Sequence, residues 1–336
     1  MQWRIGDCPM PDIVLGDIDE AVSLLSKYAE KGHSTHEASG QNEPEVVRKV
    51  DSSKFKLLKK MDSSAKFVAV DCSTRILKRA NNWGIYLFRP AYAVVDKRAV
   101  DWGYQEKIRA LVGPAYARFQ DLRNLRLEFE SELALSLTKS VHAGDHLLLD
   151  GASYFGEQTG YYVALFERCR DLGVSLLALS KQSPALRDER GRDFQTTVQL
   201  MAQQPIWVYH PVAKANFTKH LYGDITLVKL CEESPRIFRL DIMEYLTGCD
   251  ISDVVSPLTA VSEDPRCLGY PVPLWLAHEF SATADSKLLY YLDRIEVLLK
   301  ESGHYDRLSK EVQACSFADE LHGRRFLIEK EVTDYV

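Results

Sequence analysis

Two short apolar segments that each end on an aspartate constrain the fold of this 336-residue chain most strongly. The first is Lys66–Asp71 (KFVAVD), and the second is His146–Asp150 (HLLLD). Short apolar runs of this kind are typical of strands buried on both faces. Because polar residues at the carboxyl ends of neighbouring strands meet at one edge of a sheet, we expect Asp71 and Asp150 to lie close together.

The segments around these two runs predict a mixed α/β sheet. Three strands are followed by a long helix, a strand, a helix and a strand, which is the order of the RNase H-like fold. The expected strands are residues 66–71, 83–88, 92–95, 146–150, 174–180, 225–231 and 237–243, and the expected helices are residues 18–30, 104–139, 158–172 and 274–300.

The domain organisation follows from the same pattern. Residues 1–60 form an N-terminal extension with a helix and a polar linker, since residues 30–45 are rich in Gly, Ser, His and Glu. Residues 61–300 form the main domain, a mixed sheet flanked by helices, and residues 301–336 form a C-terminal tail. Helical extensions are therefore expected at both ends.

The long predicted helix carries a cluster of three glutamates, Glu128, Glu130 and Glu132. In the RNase H-like fold, carboxylates come from the first strand, the first long helix and the end of the fourth strand. Glu130 borders the apolar face, because it lies four residues before Ala134 and seven before Leu137. We favour Glu130 as the third site carboxylate, although the sequence does not exclude its two neighbours.

Composition narrows the class of protein. The seven cysteines are scattered and form no C-x-x-C pair, which argues against a disulfide framework or a thiolate zinc site and for a reducing cytoplasm. No apolar run approaches the roughly 20 residues of a membrane span. The net charge of -6 argues against a protein whose whole surface wraps a DNA duplex, and for a recessed site or a partner that delivers the strand.

The predicted carboxylates indicate a metal site. Asp71, Glu130 and Asp150 are oxygen donors, which suit a hard divalent cation such as Mn²⁺ or Mg²⁺. Such an ion lowers the pKa of a bound water and stabilises the attacking and leaving oxygens of a phosphoryl displacement. The sequence therefore indicates phosphodiester cleavage.

A further constellation lies in Gly269–Ser281 (GYPVPLWLAHEFS). Its prolines predict an extended approach over residues 270–273 and a helix that begins near Trp275. His278 then lies in the first turns of that helix, where it would coordinate a metal or transfer a proton.

Five segments in this order resemble the NurA nuclease family: FVAVDCS, LLLDGASYF, LLALSKQS, IFRLDIM and GYPVPLWLAHEFS. The resemblance spans about residues 66–300, and its most specific part is the closing segment, with Tyr270 eight residues before His278. It implies a prokaryotic, cytoplasmic, Mn²⁺- or Mg²⁺-dependent nuclease of single-stranded DNA and duplex ends. It also implies 5′–3′ end resection in DNA repair, a homodimer, and a hexameric HerA-type ATPase as partner.

The resemblance implies roles for individual residues. The metal-binding residues of the family fall on Asp71, Asp150, His278 and one glutamate of the helix cluster. Its tyrosine falls on Tyr270, and Lys181 matches a recurrent position that meets DNA phosphate. One departure is Cys72, because the family usually has glycine after the first aspartate. A cysteine requires a backbone without positive φ, so the local turn and the metal preference are open at this point.

Two other functions remain open. The segments VDCSTR and LDGASYFGE are similar to the phosphate loops of actin-like or sugar-kinase ATPases, but the chain has no Gly-Gly pair. The third interpretation is a catalytically inactive RNase H-like adaptor for a motor. The presence of both strand aspartates and of His278 argues against it.

Overall fold

The computed structural model describes residues 49–97, 99–153, 160–181, 186–188 and 190–313. The predicted helix 18–30 and most of the predicted tail lie outside these ranges, and the domain boundaries stay predictions. The chain divides into two compact units, of which the larger comprises residues 54–182 and 204–336. The smaller comprises residues 1–53 and 183–203, and contains a short helix whose N-terminus is capped by the Asp193 carboxylate.

The larger unit contains a ten-stranded mixed sheet. Its strands are β1 (Phe55–Leu57), β2 (Lys66–Arg79), β3 (Trp83–Asp96), β4 (Ala99–Tyr104), β5 (Lys107–Val112), β6 (His146–Asp150), β7 (Ser175–Ser180), β8 (Trp207–Ala213), β9 (Gly223–Lys229) and β10 (Phe238–Met243). The helices of the described chain are α1 (Ala115–Leu137), α2 (Gly160–Leu172), α3 (Phe194–Met201, in the smaller unit), α4 (Ile251–Val255), α5 (Val272–Ser281) and α6 (Asp285–Glu301). Residues 305–313 are also helical.

The strand order is β1-β8-β9-β10-β7-β6-β2-β3-β4, with β5 also paired to β3. Strand β2 is antiparallel to β3 and parallel to β6, and β6 is parallel to β7. Strands β2 to β7 thus form the five-position arrangement of the RNase H-like fold, in which β4 and β5 share the third position. Strands β10, β9, β8 and β1 extend the sheet beyond β7 by antiparallel pairing.

Alternating side chains along β2 enter two apolar layers, one on each face of the sheet. Phe67 and Ala69 pack in the layer that contains Ala277 of α5. Val68 packs in the opposite layer with Leu133 of α1. By the same alternation, Asp71 lies on the face that α5 covers, whereas Glu130 belongs to the helix on the other face.

The prediction that a strand ends at Asp71 is wrong, because β2 continues to Arg79. Its parallel pairing with β6 nevertheless runs only from Phe67↔His146 to Val70↔Leu149, so Asp71 lies immediately beyond the last pair. Strand β3 likewise runs through Pro90, where two separate strands were expected. Pro90 is tolerated because it lies between the stretches of β3 that pair with β5 and with β4, so its missing N–H removes few sheet hydrogen bonds.

Two predicted helices are also corrected. The long helix begins at Ala115 rather than near residue 104, because residues 99–112 form β4 and β5, and Pro114 is its N-cap. The predicted helix 274–300 is two helices, α5 and α6, separated by residues 282–284. None of the helices in the described ranges is long and apolar enough to cross a membrane.

Candidate metal centre

Three residues from distant parts of the chain converge next to the end of β6. Asp71 lies within β2, Asp150 ends β6, and His278 lies in α5. One potential ligand atom from each lies within 4.8 Å of the other two, so the three side chains form a candidate metal centre. The pairing that the sequence predicted for Asp71 and Asp150 is therefore present.

The turn after Asp150 depends on glycine. Gly151 has a φ of 130°, a backbone conformation that side chains rarely permit, and a Cβ placed there would have open space around it. The requirement therefore comes from the backbone and not from packing. Two residues later, Ser153 donates through its backbone N–H and its hydroxyl to Asp241 Oδ2, at 2.8 and 2.9 Å. This buried contact anchors the turn that presents Asp150.

Asp71 is nearly inaccessible, with 3% of its surface exposed, yet its charge is balanced. His278 Nδ1 lies 2.8 Å from Asp71 Oδ2, and the Arg126 guanidinium lies 3.7 Å from Oδ1. The Cys72 backbone N–H donates to Oδ1 at 2.7 Å. Burial opposes ionisation, but the His278 hydrogen bond and the Arg126 charge outweigh it and lower the pKa of Asp71. The same hydrogen bond raises the pKa of His278.

The surroundings of Asp150 shift its pKa in the opposite direction. Lys181 Nζ lies 2.8 Å from its Oδ2, and the Tyr270 hydroxyl donates to Oδ1 at 3.2 Å. Burial and the nearby charge of Asp71 raise its pKa, and Lys181 offsets only part of this effect. The two aspartates therefore differ, since the surroundings lower the pKa of Asp71 and raise the pKa of Asp150.

Tyr270 presents its hydroxyl to this cluster and packs its ring in the core. The ring centroid lies 5.3 Å from that of Phe238, and only 5% of the residue is exposed. Burial and the Asp150 charge raise its pKa well above the ordinary value. Pro271 is extended and is the N-cap of α5, so the extended approach is shorter than predicted and Pro273 lies in the first helical turn.

The glutamate cluster of α1 separates clearly by burial. Glu128 and Glu132 are exposed, and Glu132 pairs with Lys107, whereas Glu130 is 2% exposed. Burial and the charges of Asp71 and Asp150 raise the pKa of Glu130, while Arg126 opposes the rise. Glu130 is not in the set within 4.8 Å, so its predicted role as a metal ligand stays a prediction.

Arg126 and Ser281 belong to the site and were not predicted. Ser281 Oγ lies 3.4 Å from Asp71 Oδ2 and donates to the His278 carbonyl at 2.8 Å. The sequence carried a signal for Arg126, since it precedes Glu130 by four residues and therefore shares its helix face. Nothing in the sequence pattern distinguished Ser281.

The donor set fits a hard or borderline divalent ion. Two carboxylates and one imidazole match the ligands that Mn²⁺ accepts, and sulfur is not among them. Cys72 is buried, and burial with the Glu130 charge raises the pKa of its thiol well above the ordinary value. The doubt that Cys72 introduced about the local turn is resolved, because its backbone is extended within β2.

Comparison with solved structures returns NurA nucleases. The NurA nuclease from Sulfolobus solfataricus matches with a TM-score of 0.62 at 16% identity, covering 86% of this chain and 96% of that one. A NurA structure with manganese matches with a TM-score of 0.55 at 10% identity, covering 85% of this chain and 98% of that one. A further NurA structure gives 0.56 at 10% identity, covering 85% and 97%.

No protein-family model matches the sequence, and no curated protein sequence matches it. The likeness therefore lies in the fold, which is the RNase H-like fold of NurA. The predicted fold class is confirmed, and so, at the level of structure, is the resemblance that the five sequence segments indicated.

Proposed function

We propose that this chain is a divalent-metal-dependent deoxyribonuclease that hydrolyses phosphodiester bonds. The observation that carries the proposal is the convergence of Asp71, Asp150 and His278 within 4.8 Å, on a fold shared with NurA nucleases. A set of one imidazole and two carboxylates next to the end of β6 has a simple chemical use, which is to hold a metal ion against a phosphate. Manganese in one of the similar NurA structures supports Mn²⁺ as the ion.

In this proposal, Asp71, Asp150 and His278 hold Mn²⁺ or Mg²⁺. The ion would lower the pKa of a bound water and neutralise charge that develops on the phosphate. Binding requires neutral imidazole and ionised carboxylates, so the raised pKa values of His278 and Asp150 make metal affinity increase with pH.

Lys181 and Tyr270 are proposed to orient the substrate. Lys181 is 42% exposed and neutralises Asp150, so a metal at Asp150 releases its ammonium group to pair with a DNA phosphate. The Tyr270 hydroxyl is positioned to hold Asp150 or a phosphate oxygen by hydrogen bonding. Its buried ring leaves little surface for stacking on a base.

The biological setting is inferred from the likeness to NurA. We propose that the chain works as a homodimer with a HerA-type hexameric ATPase, resecting DNA ends in the 5′–3′ direction during repair in a prokaryotic cytoplasm. The net charge of -6 supports a partner that delivers the DNA strand, because the surface as a whole does not attract polyanions.

The direct test is digestion of end-labelled linear DNA, single-stranded and duplex, with Mn²⁺, Mg²⁺ or EDTA and with or without a HerA-type ATPase. We expect cleavage by the wild-type protein with Mn²⁺, no cleavage with EDTA, and no cleavage by Asp150→Asn. The matched control is Asp253→Asn, which removes an exposed carboxylate of α4 and should cleave normally. A folded wild-type protein that leaves all these substrates intact contradicts the proposal.

The two alternatives give different results in the same preparation. An actin-like ATPase would bind ATP in an equilibrium assay and would leave DNA intact. An inactive adaptor would bind the ATPase partner without cleaving DNA under any metal condition. The acidic cluster favours the nuclease over both, because a structural adaptor has no use for two adjacent carboxylates, one buried and one half-buried, that repel each other.

A further inference from the structure

The candidate metal centre already contains a cation of its own, Arg126. Its Nη2 lies 3.7 Å from Asp71 Oδ1, and helix α1 places it one turn before Glu130. Burial opposes its charge, but the carboxylates of Glu130 and Asp71 outweigh this effect and raise the pKa of Arg126. The guanidinium is therefore charged at any physiological pH.

Charge, more than directed hydrogen bonding, holds this guanidinium. The 3.7 Å contact exceeds the length of a normal hydrogen bond. The buried Nε of Arg126 has no hydrogen-bond partner within the residues that the structure describes. A half-buried cation with little directional bonding stays where the surrounding negative charge is greatest, which is beside Asp71 and Glu130.

The charge of the cluster limits how many metal ions it can hold. Asp71, Asp150 and Glu130 carry three negative charges when all are ionised, and Arg126 carries one positive charge. One divalent ion makes this group neutral, provided that His278 binds as neutral imidazole and Lys181 moves away. A second divalent ion would leave two excess positive charges beside the buried carboxylates of Asp71 and Glu130, which is strongly unfavourable.

We propose that Arg126 takes the place of a second divalent ion, so that the chain binds one ion at Asp71, Asp150 and His278. Glu130 then serves as the counter-charge of Arg126 and is not required as a metal ligand. This inference rests on the proposed function and specifies the metal content of the same site.

The test counts ions directly. The full-length protein is stripped with EDTA, and Mn²⁺ binding is followed by the electron paramagnetic resonance signal of free Mn²⁺. We expect one ion per wild-type chain. In Arg126→Met, which keeps the length of the side chain and removes its charge, the first ion leaves one negative charge uncompensated, so we expect a second, weaker ion to bind. The matched control is Arg123→Met, an exposed arginine of the same helix, which should still bind one ion.

A double variant covers the case in which Arg126→Met alone fails to fold. Arg126→Met with Glu130→Gln removes both charges together and is expected to fold and to bind one ion as tightly as wild type. Two ions in the wild-type chain, one ion in folded Arg126→Met, or no Mn²⁺ binding by the folded double variant would each overturn the proposal. If the wild-type chain binds no Mn²⁺ at all, the proposed function itself fails.

Discussion

In the absence of metal, replacing the two aspartates should change stability in opposite directions. We predict that Asp71→Asn lowers the melting temperature of the EDTA-treated protein, whereas Asp150→Asn maintains or raises it. Repulsion between like charges alone would predict little loss at either position, since each substitution relieves that repulsion. The structure distinguishes them, because the His278 hydrogen bond and the Arg126 charge both stabilise the Asp71 anion, whereas Lys181 only partly offsets the burial of Asp150 and its repulsion by Asp71.

The magnitude follows from the contacts of Asp71. Losing the charge-assisted hydrogen bond with His278 costs about 1.5–3 kcal/mol. The side chain of His278 is 42% exposed and is hydrated once the hydrogen bond is lost. The free-energy cost of losing this contact therefore does not exceed that range. At roughly 2–4 °C per kcal/mol, the expected decrease in melting temperature is roughly 3–12 °C. The loss of a partner for Arg126 acts in the same direction.

The pH dependence has a definite sign for each residue. The lowered pKa of Asp71 means that its contribution is present above its ordinary pKa and is lost as the pH falls through the lowered value. The raised pKa of Asp150 means that its cost appears as the pH rises above its ordinary value, near 3.8. The difference in melting temperature between each variant and the wild-type protein should therefore be clear at neutral pH and should decrease towards acid pH.

The assay is thermal unfolding by circular dichroism in EDTA at pH 6–7 and at about pH 3, below the ordinary pKa of an aspartate, with Asp253→Asn as the exposed control. The values for Asp71→Asn and Asp150→Asn are compared with wild type at each pH. If Asp150→Asn is destabilised as much as Asp71→Asn, or if neither difference changes with pH, the assignment of charge balance in the site is incorrect.

Further predictions concern cleavage. Glu130→Gln should lower turnover by roughly 10–100-fold, as loss of a supporting residue does in metal sites, whereas exposed Glu132→Gln should remain near wild type; equal mild losses would indicate a solvated cluster. His278→Ala should abolish most turnover and weaken Mn²⁺ binding. If the variant keeps its rate of cleavage and only its melting temperature falls, His278 has a structural role. Tyr270→Phe should reduce turnover severely, because its hydroxyl reaches the site and its ring does not; a mild effect would favour stacking. Lys181→Ala should raise KM for DNA and reduce the salt dependence of that KM. An unchanged salt dependence would contradict the proposed contact between Lys181 and a phosphate.

The sequence predicted the centre of the fold because its signals there are local. Two apolar runs next to Asp71 and Asp150 indicated buried strands, and the helical spacing around Glu130 indicated which glutamate faces inwards. Both inferences hold, since Glu130 is buried and its two neighbours are exposed. Lys181, which the resemblance indicated only as a phosphate contact, follows β7 and pairs with Asp150.

The predicted boundaries of strands and helices were wrong where pairing between distant strands outweighs the local sequence pattern. Pro90 suggested a strand boundary, but β3 continues through it because two different strands pair on either side. Residues 99–112 were assigned to a helix although Val100, Trp102 and Tyr104 alternate at strand spacing. The sequence did mark the true start of the helix with the pair Gly113-Pro114. In the structure Gly113 has a φ of 150°, and Pro114 is the N-cap of α1.

Arg126 illustrates a limit of a different kind. Its helical spacing from Glu130 is visible in the sequence, but its contact with Asp71 depends on how α1 packs on the sheet. Charged residues on helices usually face solvent, so an arginine that faces inwards is recognised only when the positions of the acids around it are known.

The most direct test of the account is anomalous diffraction from crystals of the protein soaked in Mn²⁺ and measured on both sides of the manganese absorption edge. The account predicts one anomalous peak per chain, bound by Asp71, Asp150 and His278, with Lys181 no longer paired to Asp150 and Arg126 still beside Glu130. The account would be contradicted if saturating Mn²⁺ gave no anomalous peak at these three residues and Lys181 remained paired to Asp150.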